Sequence, residues 1–85
     1  MSERDDEQRS ELEGQYANYF RVGYNAVEFV LDFGQFYLDE ERPRLHTRIV
    51  TSPVYARALS ETIRHSLTDY ERTHGTIPDT GEPAA

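Results

Sequence analysis

The hydrophobic pattern of residues 16–75 changes its period once, and the change occurs at Thr51-Ser52-Pro53. Before this point, apolar and polar residues alternate in runs rich in aromatic and β-branched side chains, which is typical of β-strands. After it, apolar residues recur at three- and four-residue steps, as they do on one face of an α-helix. The pattern therefore predicts an α+β domain in which several strands precede one long helix.

The alternating runs cover about 17–24, 26–37 and 44–51. Three strands that follow one another in sequence are most simply joined as an antiparallel β-meander. Ser52 supplies a helix cap, and a proline in the first helical turn loses no hydrogen bond. The helix is expected over about 53–74, where it can pack on one face of the sheet. We therefore predict a three-stranded meander with one C-terminal helix covering one face.

Matching polarities across the strands gives a register. A tight turn at residues 24–25 places Phe20 opposite Phe29, and a longer second loop places Asp32 opposite Arg48. One face then holds Phe20, Val22, Val27, Phe29, Leu31, Phe33, Leu45 and Ile49. The other face holds Tyr19, Arg21, Glu28, Val30, Asp32, His46, Arg48 and Val50. We expect the first set, including Phe20, Phe29 and Phe33, to form the core beneath the helix.

Both ends of the chain differ in composition from its middle. Residues 1–14 are acidic and lack aromatic side chains, and residues 78–85 contain two prolines and one glycine. Such segments bury too little surface to fold, so we expect one domain over 15–77 between two flexible tails. The two ends also carry most of the net charge of −7, with −4 in residues 1–15 and −2 in residues 76–85.

Composition excludes several classes of function. The nine basic residues are all arginines spread among acids, so no basic patch is available for nucleic acid or an anionic membrane. The N-terminal sequence does not follow the pattern of a signal peptide, and we expect a cytoplasmic protein. The chain has no cysteine, and Glu61, His65 and Asp69 on one helical face are better explained as partners of nearby arginines than as metal ligands. We expect no catalytic residue, no cofactor and no metal.

Several short motifs resemble the bacterial domain of unknown function 3467 family and together span nearly all of residues 16–77. They are Tyr16-Ala17-Asn18, Glu28-Phe29-Val30-Leu31-Asp32-Phe33, Arg48-Ile49-Val50-Thr51-Ser52-Pro53, Ala56-Arg57-Ala58-Leu59 and Asp69-Tyr70-Glu71. The resemblance implies a domain rich in β-hairpins that ends in one long helix. It implies no activity, cofactor or partner. The chain departs from the family pattern at Tyr55 and Arg57, where the family often has His and Lys.

One polar cluster has two interpretations. Asp32, Arg48 and His46 share a face of the predicted sheet, where they could bind a small anion and titrate near neutral pH. The simpler interpretation is a cross-strand ion pair between Asp32 and Arg48 that fixes the register. The first interpretation makes the protein a small-ligand sensor, and the second assigns the cluster to structure alone.

One helix covers only one face of a sheet, so the other face requires an explanation. Tyr19, Val30 and Val50 lie among its charges, and Phe36 and Tyr37 lie near the end of the second strand. Aromatic and aliphatic groups that remain exposed in this number typically mark an interface. A domain of this size without disulfides also commonly gains burial by association. We therefore predict a homodimer that acts as a protein-interaction or adaptor module, with a further protein partner that the sequence does not name.

Overall fold

A computed structural model of the protein describes residues 11–79. Its strands form one antiparallel sheet in the order β1-β2-β3, and a helix follows the third strand. This architecture confirms the predicted fold class of a β-meander followed by one long helix. The elements are β1 (Tyr19–Tyr24), β2 (Phe29–Gln35), β3 (Arg44–Thr51) and α1 (Pro53–His74).

The first hairpin has a longer loop and a different register from those predicted. The side chain of Asn25 holds this loop, because its Oδ1 accepts hydrogen bonds from the backbone N–H groups of Val27 at 2.8 Å and Glu28 at 2.9 Å. As a result Phe20 lies opposite Phe33 rather than Phe29. The predicted register was wrong by four residues, and because four is even, each β1 side chain keeps its predicted face.

The second hairpin has the predicted register, with Asp32 opposite Arg48. The ladder is interrupted between Phe33 and Gly34, where the pairing shifts by one residue. At this bulge the backbone of Arg44 approaches so closely that a Cβ on Gly34 would lie 2.1 Å from the Arg44 carbonyl oxygen. The bulge therefore requires glycine at position 34, since the atom in the way belongs to backbone and cannot rotate aside.

At the open end of β1 and β2, a side chain continues the ladder. Asn18 Oδ1 accepts a hydrogen bond from the Phe36 backbone N–H at 2.7 Å, and Asn18 Nδ2 donates to the Phe36 carbonyl at 3.4 Å. This amide takes the place of a backbone pair, so β1 begins two residues later than the predicted 17–24 and β2 ends two residues earlier than the predicted 26–37.

The helix begins and ends at the predicted residues, and each end is capped. Ser52 Oγ accepts a hydrogen bond from the Tyr55 N–H at 3.3 Å, and Pro53 occupies the first turn. At the other end Gly75 has φ of 92°, a conformation that favours glycine, and its N–H donates to the Glu71 carbonyl at 2.9 Å. The chain then turns back along the helix, where the Ile77 N–H donates to Glu71 Oε2 at 2.9 Å.

The predicted tails lie largely beyond this range. Of the predicted acidic tail, residues 1–10 are outside the described residues, and of the predicted C-terminal tail, residues 80–85 are outside them.

The prediction of a core beneath the helix was wrong for the single chain. Within residues 11–79 no apolar side chain is buried, and none of the residues of α1 is buried. Phe20 is 57% exposed on the sheet, and Ile63 is 49% exposed on the helix. The connection between β3 and α1 consists of Ser52 alone, and the helix that follows it does not bury the face that it was expected to cover.

We predict that Gly34→Ala destabilises the fold by at least about 3 kcal/mol, the upper end of the usual cost of overpacking, because the added methyl group meets the Arg44 backbone. Urea denaturation followed by circular dichroism measures the effect. Gly23→Ala is the matched control, because a Cβ there meets nothing within 4 Å. Its stability should stay within about 0.5 kcal/mol of the wild type, and equal losses for the two variants would contradict the close approach at Gly34.

Candidate functional site

The most ordered polar cluster crosses all three strands. Asp32 on the central strand lies opposite Arg21 on one side and Arg48 on the other. Arg48 donates two hydrogen bonds to the carboxylate, from Nε to Oδ1 at 2.7 Å and from a terminal nitrogen to Oδ2 at 3.0 Å, and Arg21 donates a third to Oδ2 at 3.3 Å. Asp32 is only 5% exposed, and it is the one buried polar residue among those that the structure describes. Two guanidinium groups therefore enclose one carboxylate.

The electrostatics of this cluster keep Asp32 ionised. The hydrogen bonds from Arg48 are the largest cause of a pKa below the ordinary value of an aspartate. Burial opposes the shift, and the hydrogen bond from Arg21 and the charges of both arginines add to it. A carboxylate with a lowered pKa is a poor general base, so the arrangement does not suit proton transfer near neutral pH.

The two arginines keep a water-exposed edge. Their side chains are 56% exposed at Arg21 and 62% exposed at Arg48, although both contact Asp32. A guanidinium group can bind a second anion with the donors that its first partner leaves unused. The cluster therefore combines a structural ion pair with two partly exposed guanidinium groups that keep unused donors.

His46 does not hydrogen-bond to this cluster. Its Nε2 lies 3.0 Å from the Tyr16 carbonyl oxygen, and its Nδ1 lies 2.7 Å from Thr47 Oγ1. His46 thus ties the segment before β1 to β3. It does line an open cavity of about 280 Å³ together with Asp32 and Arg48, so the three residues of the sensor hypothesis share a surface but not a hydrogen-bond network.

The residues predicted to form an interface divide into two places. Tyr19, Val30 and Val50 fall on the face of Asp32, where Tyr19 and Val30 are half-buried and Val50 is 54% exposed. Phe36 and Tyr37 follow β2 and are 45% and 40% exposed. The Tyr37 ring lies beneath the Arg44 guanidinium at 5.9 Å, and its hydroxyl donates to Gln35 Oε1 at 2.7 Å.

Sequence reasoning missed two features of this site. The predicted tight turn at residues 24–25, which sets Phe20 opposite Phe29, also sets Arg21 opposite Glu28. It therefore placed Arg21 away from Asp32, its partner in the structure. An asparagine followed by a short loop was the available signal, since its side chain commonly caps such a turn. Sequence reasoning also treated the helical stripe as already covered, whereas Leu59, Ile63 and Leu67 are 41–49% exposed.

The helical carboxylates contact arginines. Glu61 Oε2 lies 2.7 Å from Arg64, and Asp69 Oδ1 lies 3.3 Å from Arg72. Over residues 11–79 no group of three or more His, Asp or Glu side chains is placed to hold a metal ion. In the same range no helix combines the length and apolar character that a membrane span requires.

Comparison with known proteins identifies the family. The chain matches the model of DUF3467, described as a protein of unknown function, over residues 3–79. It is therefore a member of a protein family of unknown function. The particular family is DUF3467, which agrees with the resemblance seen in the sequence motifs. No curated protein and no solved structure matches the chain.

We predict that Asp32→Asn destabilises the fold most above about pH 5. Because the pKa of Asp32 is lower in the folded than in the unfolded protein, its ionised form stabilises the fold above the unfolded value of about 4. That contribution is lost as pH falls below the unfolded value and through the lowered folded pKa, so the difference between the wild type and the variant should shrink as the pH is lowered. Urea denaturation at a series of pH values measures the difference, and a constant difference from pH 6 to pH 2 would contradict it.

A double-mutant cycle should show that Asp32 couples more strongly to Arg48 than to Arg21. Two hydrogen bonds of 2.7 and 3.0 Å join Asp32 to Arg48, whereas one of 3.3 Å joins it to Arg21. The changes are Asp32→Asn, Arg48→Gln and Arg21→Gln, alone and in pairs. Asp69→Asn is the control for the loss of one negative charge, because that side chain is 74% exposed. Equal coupling to the two arginines would show that the bidentate geometry is not kept in solution.

Proposed function

We propose that this protein is a non-enzymatic protein-interaction module that folds and acts as a homodimer. One observation carries the proposal: within residues 11–79 no apolar side chain is buried, although the sheet and helix both present large apolar groups. A single chain in this arrangement removes little apolar surface from water, and burial of such surface is the main source of folding stability. A second copy of the chain supplies the missing burial. Cytoplasmic location is part of the same proposal and rests on the sequence alone.

The adaptor role rests on two exposed places, which are Phe36 and Tyr37 after β2 and Val50 on the face of Asp32. These side chains are 40–54% exposed, and aromatic residues of this kind are enriched at protein interfaces. The proposal assigns both places to a further protein. The non-enzymatic part of the proposal is supported by the site chemistry, since the ordered carboxylate Asp32 is occupied by its two arginines.

A small-ligand sensor is the second candidate, favoured by the open cavity of about 280 Å³ beside Asp32, His46 and Arg48. It ranks below the adaptor role because Arg48 already donates two hydrogen bonds to Asp32, so an anion would have to use its remaining donors or displace a buried carboxylate. Thermal unfolding with a panel of small carboxylates and phosphates separates the two functions. A saturable rise in Tm that Arg48→Gln abolishes would favour the sensor.

We predict a particle of about twice the 9.9 kDa chain mass in light scattering coupled to size exclusion at low micromolar concentration. Because folding and association are linked in such a dimer, Tm should also fall as the protein is diluted. A folded particle of 9.9 kDa whose Tm is independent of concentration would remove the homodimer from the proposal.

The adaptor role has its own test. A Phe36→Ala, Tyr37→Ala variant should retain the dimer mass but lose a protein that the wild type captures from its native cell. Leu38→Ala is the control, because it neighbours the same segment and is 100% exposed. Identical captured proteins for the wild type and both variants would contradict the assignment of this surface.

A further inference from the structure

An open groove runs between the apolar face of the sheet and the helix. Its volume is about 510 Å³. The sheet side is lined by Val22, Phe29 and Leu31, and the helix side by Ala56, Leu59, Ile63 and Leu67. Along the helix it continues into a second hollow of about 390 Å³, which shares Ile63 and Leu67 and ends at Tyr70 and Ile77. Ser60 and Arg64 also line the helix side, so the walls of the groove are largely apolar.

The chain cannot close this groove by itself. Ser52 is the whole connection between β3 and α1. The backbone of Ser52 is extended, with φ of −91° and ψ of 163°. Its side chain accepts a hydrogen bond from the Tyr55 N–H, and its carbonyl accepts one from the Ala56 N–H at 2.8 Å. Pro53 fixes the next backbone angle. Connections of this type usually have two to six residues, so one capped residue leaves no freedom to swing the helix onto its own sheet.

The apolar surface beside the groove has the area that a stable dimer needs. Eight large side chains on the sheet face and the helix stripe are each 41–77% exposed. They are Phe20, Val22, Tyr24, Ile49, Leu59, Ile63, Leu67 and Tyr70. Since a large side chain has roughly 150–250 Å² of surface, they offer roughly 800 Å² in all. A stable interface buries about 800 Å² on each partner.

We infer that the groove is the homodimer interface and that the helix of a second copy fills it. This inference rests on the homodimer proposed above and adds its geometry. The helix suits the groove because large apolar residues recur along one of its faces from Leu59 to Tyr70. In a two-fold dimer the exchange is mutual, so each helix lies against the sheet face of its partner. The two helices then form a layer between the two sheets, and both apolar walls of each groove are covered.

This geometry differs from pairing through the face of Asp32. Val30 and Val50 lie on the side of the sheet that the helix does not approach, so they remain on the outside of the dimer. Of the residues assigned above to a further protein, Val50 therefore stays available after dimerisation.

Disulfide cross-linking tests the interface, since the chain contains no cysteine of its own. Val22→Cys and Ile63→Cys are placed in separate chains, which are mixed unfolded, refolded together and oxidised mildly. A disulfide between Val22→Cys of one chain and Ile63→Cys of the other should give a covalent dimer on a non-reducing gel. In the control, Val50→Cys replaces Val22→Cys. The two valines are almost equally exposed, at 54% for Val50 and 57% for Val22, but they lie on opposite faces of the sheet. The Val22 pair should link on the order of 100-fold faster, because the dimer holds its two positions together.

A chain carrying both Val22→Cys and Ile63→Cys completes the test. A disulfide within one chain would show that the helix closes on its own sheet, and this would overturn the inference. Equal linking of the Val22 and Val50 pairs would also overturn it. If light scattering finds the dimer but the Val22 pair does not link, the groove is wrong and the homodimer stands, whereas a monomer in light scattering removes both. Leu59→Cys provides a second helical position if Ile63→Cys prevents assembly.

Discussion

The connection at Ser52 controls how much apolar surface this chain can bury by itself. Its capping hydrogen bonds and the following Pro53 fix the direction in which the helix leaves the sheet. The helix consequently stands beside an open groove, and no apolar side chain in residues 11–79 is fully buried. A longer and more flexible connection would let the helix cover the sheet within one chain. Because the connection is one residue long, the apolar surface of the sheet and the helix can be covered only by another molecule.

The ion cluster at Asp32 provides order where a hydrophobic core does not. It joins all three strands through one carboxylate and fixes the register of both hairpins at the same level of the sheet. A register slip would separate Asp32 from an arginine and leave a buried charge without its partner, which is strongly unfavourable. The Asn25 turn and the Gly34 bulge act in the same direction, because each defines where a hairpin pairing begins or shifts. Local polar interactions thus specify the sheet, while its apolar face serves association.

Some elements of the fold could be predicted from the sequence, and others could not. The helix from Pro53 to His74 followed from its cap, its apolar stripe and its terminal glycine, all of which are local signals. The second hairpin followed from the opposite charges of Asp32 and Arg48. The first hairpin did not follow, because two turns of different length give equally regular pairs of polar and apolar residues. The geometry of the Asn25 side chain decides between them, and periodicity does not contain that information.

The sequence by itself determined the order of the strands and helix, the family to which the chain belongs and the faces of the strand residues before the bulge, whereas the bulge pairs Leu45 with Gly34 and moves it to the face of Asp32. These properties depend on alternation, spacing and capping, which act between residues that are close in the chain. Only the tertiary structure decided the pairing of Arg21 with Asp32, the close approach at Gly34 and the gap between sheet and helix. Each of these depends on the path of the backbone through a turn or a one-residue connection. A stripe of apolar residues shows that a helix must be covered, and the direction of that helix decides whether its own chain can cover it.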